Sequence, residues 1–195
     1  PKEGYLVVKV GGPAYRLGMG GGAASSREQT KDNNTQDESA VQRGDPEMGN
    51  RLNRFIKACI QSSYNPILSI HDQGAGGTAN VTQEIVYPLG ADINLDKIIK
   101  GDATMTPSEI WVSEFQEQDT ILIKSEDIEY VEEISKRENC PIAVIGEIKN
   151  HKKIKVYTNE ECIVDLELEK VLGKMPQKEY QLEKRRIPIN GNKKE

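Results

Sequence analysis

The sequence has few cysteines, no long apolar run and no excess of basic residues. Cys59, Cys140 and Cys162 lie far apart and form neither a metal-ligand spacing nor a disulfide framework, which fits the reducing cytoplasm. No apolar run approaches the roughly 20 residues that are needed to span a bilayer. The net charge of −5 argues against a nucleic-acid-binding protein, which needs a concentrated basic face. We therefore expect neither a membrane nor a nucleic acid as a partner.

Two common nucleotide-binding signatures are also missing. The glycine-rich stretch at residues 11–22 lacks the Gly-Lys-Ser/Thr ending of a P-loop and the spacing of the Rossmann fingerprint. No cysteine lies in the glycine-rich context that is typical of a nucleophile, so we assign no catalytic residue. The chain begins Pro-Lys-Glu-Gly, without an initiator Met or a signal-peptide core, and we expect it to be a piece of a longer protein.

Short apolar runs alternate with amphipathic segments along most of the chain. Asp45-Pro46 is typical of a helix start, and Thr106-Pro107-Ser108-Glu109 has the capping-box pattern. The alternation predicts an α/β (α+β) sandwich, a mixed sheet with helices packed on it, and the order of elements near the C-terminus resembles half of a ferredoxin-like unit. We predict strands at 5–10, 67–70 (buried), 91–95, 120–124, 141–148, 153–157 and 162–166. We predict helices at 46–60, 79–87, 125–138 and 168–172, and a further short helix that begins at 107.

The length of 195 residues suits one domain with a tail. We expect the domain to cover residues 1–173. Within it, the polar and aperiodic stretch at 27–40 is predicted to be a mobile loop. Residues 174–195 are charged and lack apolar periodicity, so we expect them to form a linker.

The segment His71-Asp72-Gln73-Gly74-Ala75-Gly76-Gly77 is the first candidate for a functional site. Here an acid and several glycines connect a predicted strand to a predicted helix. The Asp72 carboxylate could ligate Mg²⁺, and the amides of Gly76 and Gly77 could bind a phosphate at the positive helix end. Alternatively, the segment is a tight turn in which Asp72 caps the helix. His71 is expected to be a structural, hydrogen-bonded histidine.

Three further segments carry polar or flexible residues. Gln42 and Arg43 precede a helix start without being needed to cap it, and these residue types suit a polar or phosphorylated substrate. The glycines Gly20, Gly21 and Gly22 can approach a ligand closely with their backbone. The stretch at 113–119 is densely polar and comes just before a predicted strand; it is either part of a site or a solvated loop.

In combination and in this order, these segments closely resemble the large form of the formylglycinamide ribonucleotide amidotransferase family (phosphoribosylformylglycinamidine synthase). The resemblance covers nearly the whole chain and weakens at 27–39 and after about residue 176. The matching segments are GGPAYRLGMGGGAASS at 11–26, VQRGDPEM at 41–48, NPILSIHDQGAGG at 65–77, MTPSEIWVSEFQE at 105–117, PIAVIGE at 141–147 and LEKVLGKMP at 168–176.

The resemblance implies the C-terminal-type lobe of the first aminoimidazole-ribonucleotide (AIR) synthase-like half of that enzyme. It also implies roles for individual residues. Asp72 corresponds to a Mg²⁺ ligand and Gln42 to a substrate-contacting glutamine. Glu114 and Gln116 match the ends of a Glu-Ser-Gln substrate-contacting triplet. Phe115 stands where the family usually has serine, so a contact through that hydroxyl is not expected here.

The family enzyme uses ATP and Mg²⁺ to activate the formamide oxygen of formylglycinamide ribonucleotide, and ammonia from glutamine then displaces phosphate. The resemblance therefore implies that the remaining synthetase and glutaminase domains of the same polypeptide are partners, and that the isolated chain is inactive. Two alternatives stay open. One is another enzyme of the AIR synthase superfamily. The other is a non-catalytic structural or nucleotide-binding module, which Phe115 favours.

Overall fold

The computed structural model describes residues 1–19, 44–173 and 177–182. The expected loop at 27–40 lies outside these ranges, as does most of the expected linker. No helix within the described ranges is long and apolar enough to cross a membrane.

A seven-stranded mixed sheet forms the centre of the fold, as the sequence predicts. Its order is β2-β4-β1-β5-β3-β6-β7, and each neighbouring pair is antiparallel except β3 with β6, which are parallel. The strands are β1 (Leu6–Gly11), β2 (Ser69–Asp72), β3 (Ala91–Asn94), β4 (Gln118–Ile123), β5 (Ile142–Ile148), β6 (Lys153–Thr158) and β7 (Glu161–Glu167).

Helices cover both faces of the sheet. The helices are α1 (Pro46–Gln61), α2 (Gly77–Val86), α3 (Pro107–Val112), α4 (Ile128–Glu138) and α5 (Leu168–Leu172). Residues of α1 and α4 form one core cluster with Val8 and Val10 of β1, whereas residues of α2 and α3 form another with Val7. Because successive side chains of a strand point to opposite faces, the apolar run of β1 contributes to both clusters.

The two predicted helix starts are confirmed. The Asp45 side chain accepts a hydrogen bond from the Met48 amide at 3.0 Å, and Thr106 and Glu109 form the reciprocal capping box of α3. These caps satisfy backbone N–H groups that have no partner inside the helix.

The ferredoxin-like resemblance is also visible in the sheet. The strands β4 and β5 are connected by α4, and both pair antiparallel with β1, which lies between them. This is the split β-α-β arrangement of that fold. It places the end of β1 next to the start of β4, although the two strands are far apart in sequence.

The prediction of a buried strand at 67–70 is wrong in two respects. The strand β2 covers Ser69–Asp72, so Asp72 is its last residue, and Ile70 is 46% exposed. The physical reason is that, among the strands that the structure describes, β2 lies at the end of the sheet and pairs only with β4. An apolar run on an edge strand cannot be distinguished by composition from one in the centre of a sheet.

Candidate functional site

Three strand ends meet at one edge of the fold. Gly11 at the end of β1 lies opposite Gln118 at the start of β4, and Asp72 at the end of β2 lies opposite Asp119. The segment between α3 and β4, residues 113–117, crosses this edge, and we call it the substrate loop. It contains two of the residues that the sequence resemblance assigns to substrate binding, Glu114 and Gln116.

The substrate loop is held against the end of β1 by close backbone contacts. The Gly12 amide donates to the Glu117 carbonyl at 3.1 Å, and the Glu114 amide donates to the Leu17 carbonyl at 2.9 Å. A side chain at Gly11, whose φ is +116°, would place its Cβ 2.1 Å from the Glu117 carbonyl oxygen. The glycine at the end of β1 is therefore required for the loop to approach this closely.

Arg16 fixes the segment that follows β1. Its guanidinium donates to Glu109 at 2.8 Å and to the carboxylate of Asp102, and it also contacts Thr104. The hydrogen bond from Arg16, followed by those from Thr106, lowers the pKa of Glu109 to about 2. The segment is thus attached to the N-terminus of α3, directly before the substrate loop.

The Glu114 carboxylate occupies the start of α2. It is almost fully buried and accepts a hydrogen bond from the Gly76 amide at 3.0 Å. The Gly77 amide donates to the Gly74 carbonyl at 2.9 Å. Since an anion is favourable at a helix N-terminus, the carboxylate takes the position that was expected for a phosphate. The amides of Gly76 and Gly77 thus donate hydrogen bonds within the chain, and the expectation that they belong to a phosphate or substrate loop stays a prediction.

Gly77 has a different role, which is to let the two segments touch. Its φ is +59°, and a Cβ at this position would lie 2.3 Å from the Ser113 carbonyl oxygen. A residue with a side chain would be both strained and obstructed by backbone. The start of α2 and the substrate loop can therefore pack directly against each other.

A buried polar network connects the end of β2 with the substrate loop. The Gln73 side-chain nitrogen donates to the carbonyls of Phe115 at 3.2 Å and Ser113 at 3.4 Å. Its side-chain oxygen accepts from the ammonium of Lys9 and, at 3.4 Å, from the Thr78 hydroxyl. Lys9 is 3% exposed, and burial lowers its pKa to about 7, although the negative charge of Asp119 acts in the opposite direction.

The Phe115 side chain lies in the core. Its ring is 1% exposed and belongs to the same core cluster as Trp111 and Leu122. The Lys9 ammonium lies 5.6 Å from the centre of the ring. The residue that replaces the serine of the family triplet is thus a core residue in this chain, and its backbone carbonyl still takes part in the loop's hydrogen bonds.

Asp72 is not a helix cap, so the capping role that the alternative interpretation gave it is wrong. The N-cap of α2 is Gly76, and the Asp72 side chain is 91% exposed. Its cross-strand partner is Asp119. Burial, and after it the charge of Asp72, raises the pKa of Asp119 to about 6, against the opposing influence of Lys9 and His71.

Two carboxylates at one register position suit a hard divalent cation. Mg²⁺ is commonly bound by one or two carboxylates, with phosphate oxygens and water completing its shell. No group of three or more His, Cys, Asp or Glu side chains that could hold a metal occurs among the residues that the structure describes. Among those residues the two carboxylates alone do not make a closed structural metal site.

His71 is a scaffold residue, as expected. Its ring nitrogens lie 2.6 Å from a Glu84 carboxylate oxygen and 2.7 Å from the Asp72 carbonyl oxygen. Partial burial lowers the pKa of His71, but its hydrogen bonds to Asp72 and Glu84 outweigh this and raise it overall. Because both neighbours are acceptors, the doubly protonated ring satisfies them.

Gln42 and the glycines Gly20, Gly21 and Gly22 lie outside the described residues, and their predicted roles stay predictions. The nearby described residues Gly18 and Gly44, which precede and follow this stretch in sequence, both lie close to the substrate loop. A Cβ on Gly18 would lie 2.5 Å from the Glu114 Cβ, and one on Gly44 would lie 3.4 Å from a Glu117 carboxylate oxygen.

Sequence reasoning missed three residues of this site: Lys9, Gln73 and Asp119. A signal existed for Lys9, which interrupts the apolar strand sequence Leu-Val-Val-Lys-Val. An ionisable residue in such a strand is a candidate for a specific buried contact. Gln73 and Asp119 lay within the polar segments that were singled out, but nothing local distinguished them from their neighbours.

Comparisons with known proteins agree with the fold. The sequence matches the family described as AIR synthase related protein, C-terminal domain, over residues 2–159. It is 50% identical to the phosphoribosylformylglycinamidine synthase of Dictyostelium discoideum over 188 residues, which are 94% of this chain and 14% of that protein. For the enzyme of Homo sapiens the identity is 44%, over 95% of this chain and 15% of that protein.

Solved structures share the fold. Thermotoga maritima PurL complexed with FGAR superposes with a TM-score of 0.81 at 23% identity, over 96% of this chain and 31% of that one. The same protein complexed with ATP gives a TM-score of 0.74 at 22% identity, over 95% of this chain and 30% of that one. The chain thus spans about one seventh of the curated relatives that it matches.

Proposed function

The chain belongs to the AIR synthase-related family, as a C-terminal-type domain, and on that premise we propose that it forms one wall of the active site of a phosphoribosylformylglycinamidine synthase. In this reaction ATP phosphorylates the formamide oxygen of formylglycinamide ribonucleotide, and ammonia from glutamine displaces phosphate to give the amidine. The observation that carries the proposal is the convergence of Asp72, the start of α2 and the substrate loop at one edge of the sheet.

Asp72 and Asp119 would hold Mg²⁺, which neutralises phosphate charge when it is bound. The exposure of Asp72 and the raised pKa of Asp119 support this assignment, because a cation would relieve the repulsion between the two carboxylates. Gln42, Glu114 and Gln116 would contact the nucleotide substrate. Of these, Glu114 acts from a buried position, where its carboxylate also orders the Gly76 amide.

The wider assignments belong to the same proposal. The domain covers residues 1–173, residues 174–195 are a linker, and the protein works in the cytoplasm together with the synthetase and glutaminase domains of its polypeptide. ATP is bound mainly by those other domains. The isolated chain is expected neither to hydrolyse ATP nor to use glutamine, and turnover by the purified chain would contradict this.

Calorimetry tests the proposal on the chain joined to the other domains of its polypeptide. Formylglycinamide ribonucleotide is titrated in the presence of Mg²⁺. Substitutions Gln42→Ala and Asp72→Ala should abolish or strongly weaken binding, whereas Glu132→Ala, on the exposed face of α4, should not. If the parent protein does not bind the nucleotide at all, the proposal fails and the alternative of a non-catalytic module is favoured.

A further inference from the structure

We propose that Lys9 is a positioning residue, which acts through the side-chain amide of Gln73 to fix the substrate loop relative to Asp72. The inference deepens the proposed function and rests on it for what the loop binds. The contacts themselves do not depend on the identity of the ligand.

The burial of Lys9 needs an explanation beyond stability. The residue lies between Val8 and Val10 in the interior strand β1, and its side chain is buried on the face that packs against α2 and α3. Burying an ammonium group there costs free energy because the group loses its favourable hydration. Burying an apolar side chain carries no such cost. The lowered pKa of about 7 reflects that cost. A residue that is unfavourable for burial at this position points to a specific contact.

That contact is with the oxygen of the Gln73 amide. A glutamine side chain can be turned end for end, with nitrogen and oxygen exchanging places, at little steric cost. In its charged form Lys9 donates hydrogen bonds and accepts none, so the ammonium favours the orientation in which the Gln73 oxygen faces β1. The two N–H groups of Gln73 must then point away from Lys9.

In that orientation the Gln73 nitrogen faces two carbonyls of the substrate loop. It donates to Phe115 at 3.2 Å and to Ser113 at 3.4 Å, so it holds the backbone on both sides of Glu114. The Glu114 carboxylate in turn accepts from the Gly76 amide at 3.0 Å. Because Gln73 directly follows Asp72, one side chain links the proposed metal ligand with the substrate loop.

Backbone NMR of the 195-residue chain tests this chain of contacts without any ligand. Lys9→Met removes the ammonium but keeps the length of the side chain. We expect the amide signals of Gly76 and Glu114 to shift and their hydrogen exchange to accelerate by about 10-fold. Amides in β6 and β7 should keep their exchange rates. Acceleration throughout the chain, or none at Gly76 and Glu114, would overturn the proposal.

A matched control is available in Lys124, whose ammonium lies 5.9 Å from the Tyr64 ring and 3.2 Å from a Glu126 carboxylate oxygen. Lys124→Met removes a comparable cation beside an aromatic ring. It should leave the signals of Gly76 and Glu114 unchanged, and an equal effect of this variant would contradict a specific role for Lys9.

A second background separates positioning from simple packing. If Lys9 acts through Gln73, then Lys9→Met should have no further effect on Gly76 and Glu114 in a Gln73→Met protein. Equal effects of Lys9→Met in both backgrounds would show that Lys9 acts independently, and the proposal would fail. If Lys9→Met does not fold, Gln73→Glu still removes the two N–H donors while Lys9 is retained. That variant should perturb the amides of Gly76 and Glu114. Unchanged signals and exchange rates of these two amides would refute the inference.

Discussion

Asp72 and Asp119 are cross-strand partners at the ends of β2 and β4, so two carboxylates occupy one register position of the sheet. The first is almost fully exposed, whereas the second is partly buried and has a raised pKa. Like charges at directly opposed positions are unfavourable. The arrangement is therefore more consistent with a binding site than with a contribution to stability.

Replacing Asp72 by asparagine should lower the pKa of Asp119 from about 6 towards its ordinary value, because one of its two causes is removed. Carboxyl ¹³C NMR measures this directly. In the wild type the raised pKa stabilises the fold below about pH 4, and this contribution is lost as the pH rises through 6. The loss should be smaller in Asp72→Asn. An unchanged pKa would show that burial alone sets it.

Because Lys9 is buried, we expect the stability of the fold to depend on pH at alkaline values. Its folded pKa of about 7 lies below the ordinary lysine value of 10.5, so its contribution to stability is present above pH 10.5 and is lost as the pH falls through 7. We expect the free energy of unfolding of the wild type, relative to Lys9→Met, to rise between these values by at most about 1.4 kcal/mol per pH unit. Denaturant unfolding at several pH values measures it, and subtracting the variant removes the titration of other groups. A constant difference would contradict the prediction.

Gly77 and Gly74 form a natural pair for testing the contact between α2 and the substrate loop. Gly77→Ala adds a Cβ at positive φ, 2.3 Å from a backbone oxygen, and should cost about 3 kcal/mol of unfolding free energy. At Gly74 a Cβ meets no atom within 4 Å. Gly74→Ala should therefore change stability by no more than about 0.5 kcal/mol. Similar melting temperatures for the two variants would be evidence against the close packing.

Introducing at position 115 the serine that the sequence resemblance leads us to expect should destabilise this chain. Phe115→Ser removes a ring that is 1% exposed and leaves a cavity, at a cost of about 4 kcal/mol. Val112→Ser, at a position that is 38% exposed, should cost no more than about 0.5 kcal/mol. Chemical denaturation of both variants provides the comparison. A neutral Phe115→Ser would contradict the stabilising role of the buried ring.

Much of the fold followed from local patterns in the sequence. The helix caps at Asp45 and Thr106 and the alternation of strands and helices depend on neighbouring residues, and both were predicted correctly. The exposure of Ile70 was not, because it depends on which strand lies at the end of the sheet. Strand order is a property of the whole chain, and no short window of sequence contains it.

In the candidate site, too, local features were predictable and contacts between distant segments were not. The segments that carry Asp72 and Glu114 were identified from the sequence, but the use of the Gly76 amide by the Glu114 carboxylate was not. Gly76 and Glu114 are separated by 38 positions, and only the folded chain brings them together. Likewise, Phe115 was recognised as a departure from the family triplet, whereas its place in the core required the structure.

The position of β1 between β4 and β5 also affects when the site can form. The Gln118 side chain donates to the Gly12 carbonyl across 106 positions of the chain. Contacts of such long sequence separation form slowly, since the intervening segment must first be confined. During synthesis the end of β1 leaves the ribosome long before its partners exist. An N-terminal fragment that stops ahead of β4 would contain Asp72 and the glycines of α2 but could not assemble the site.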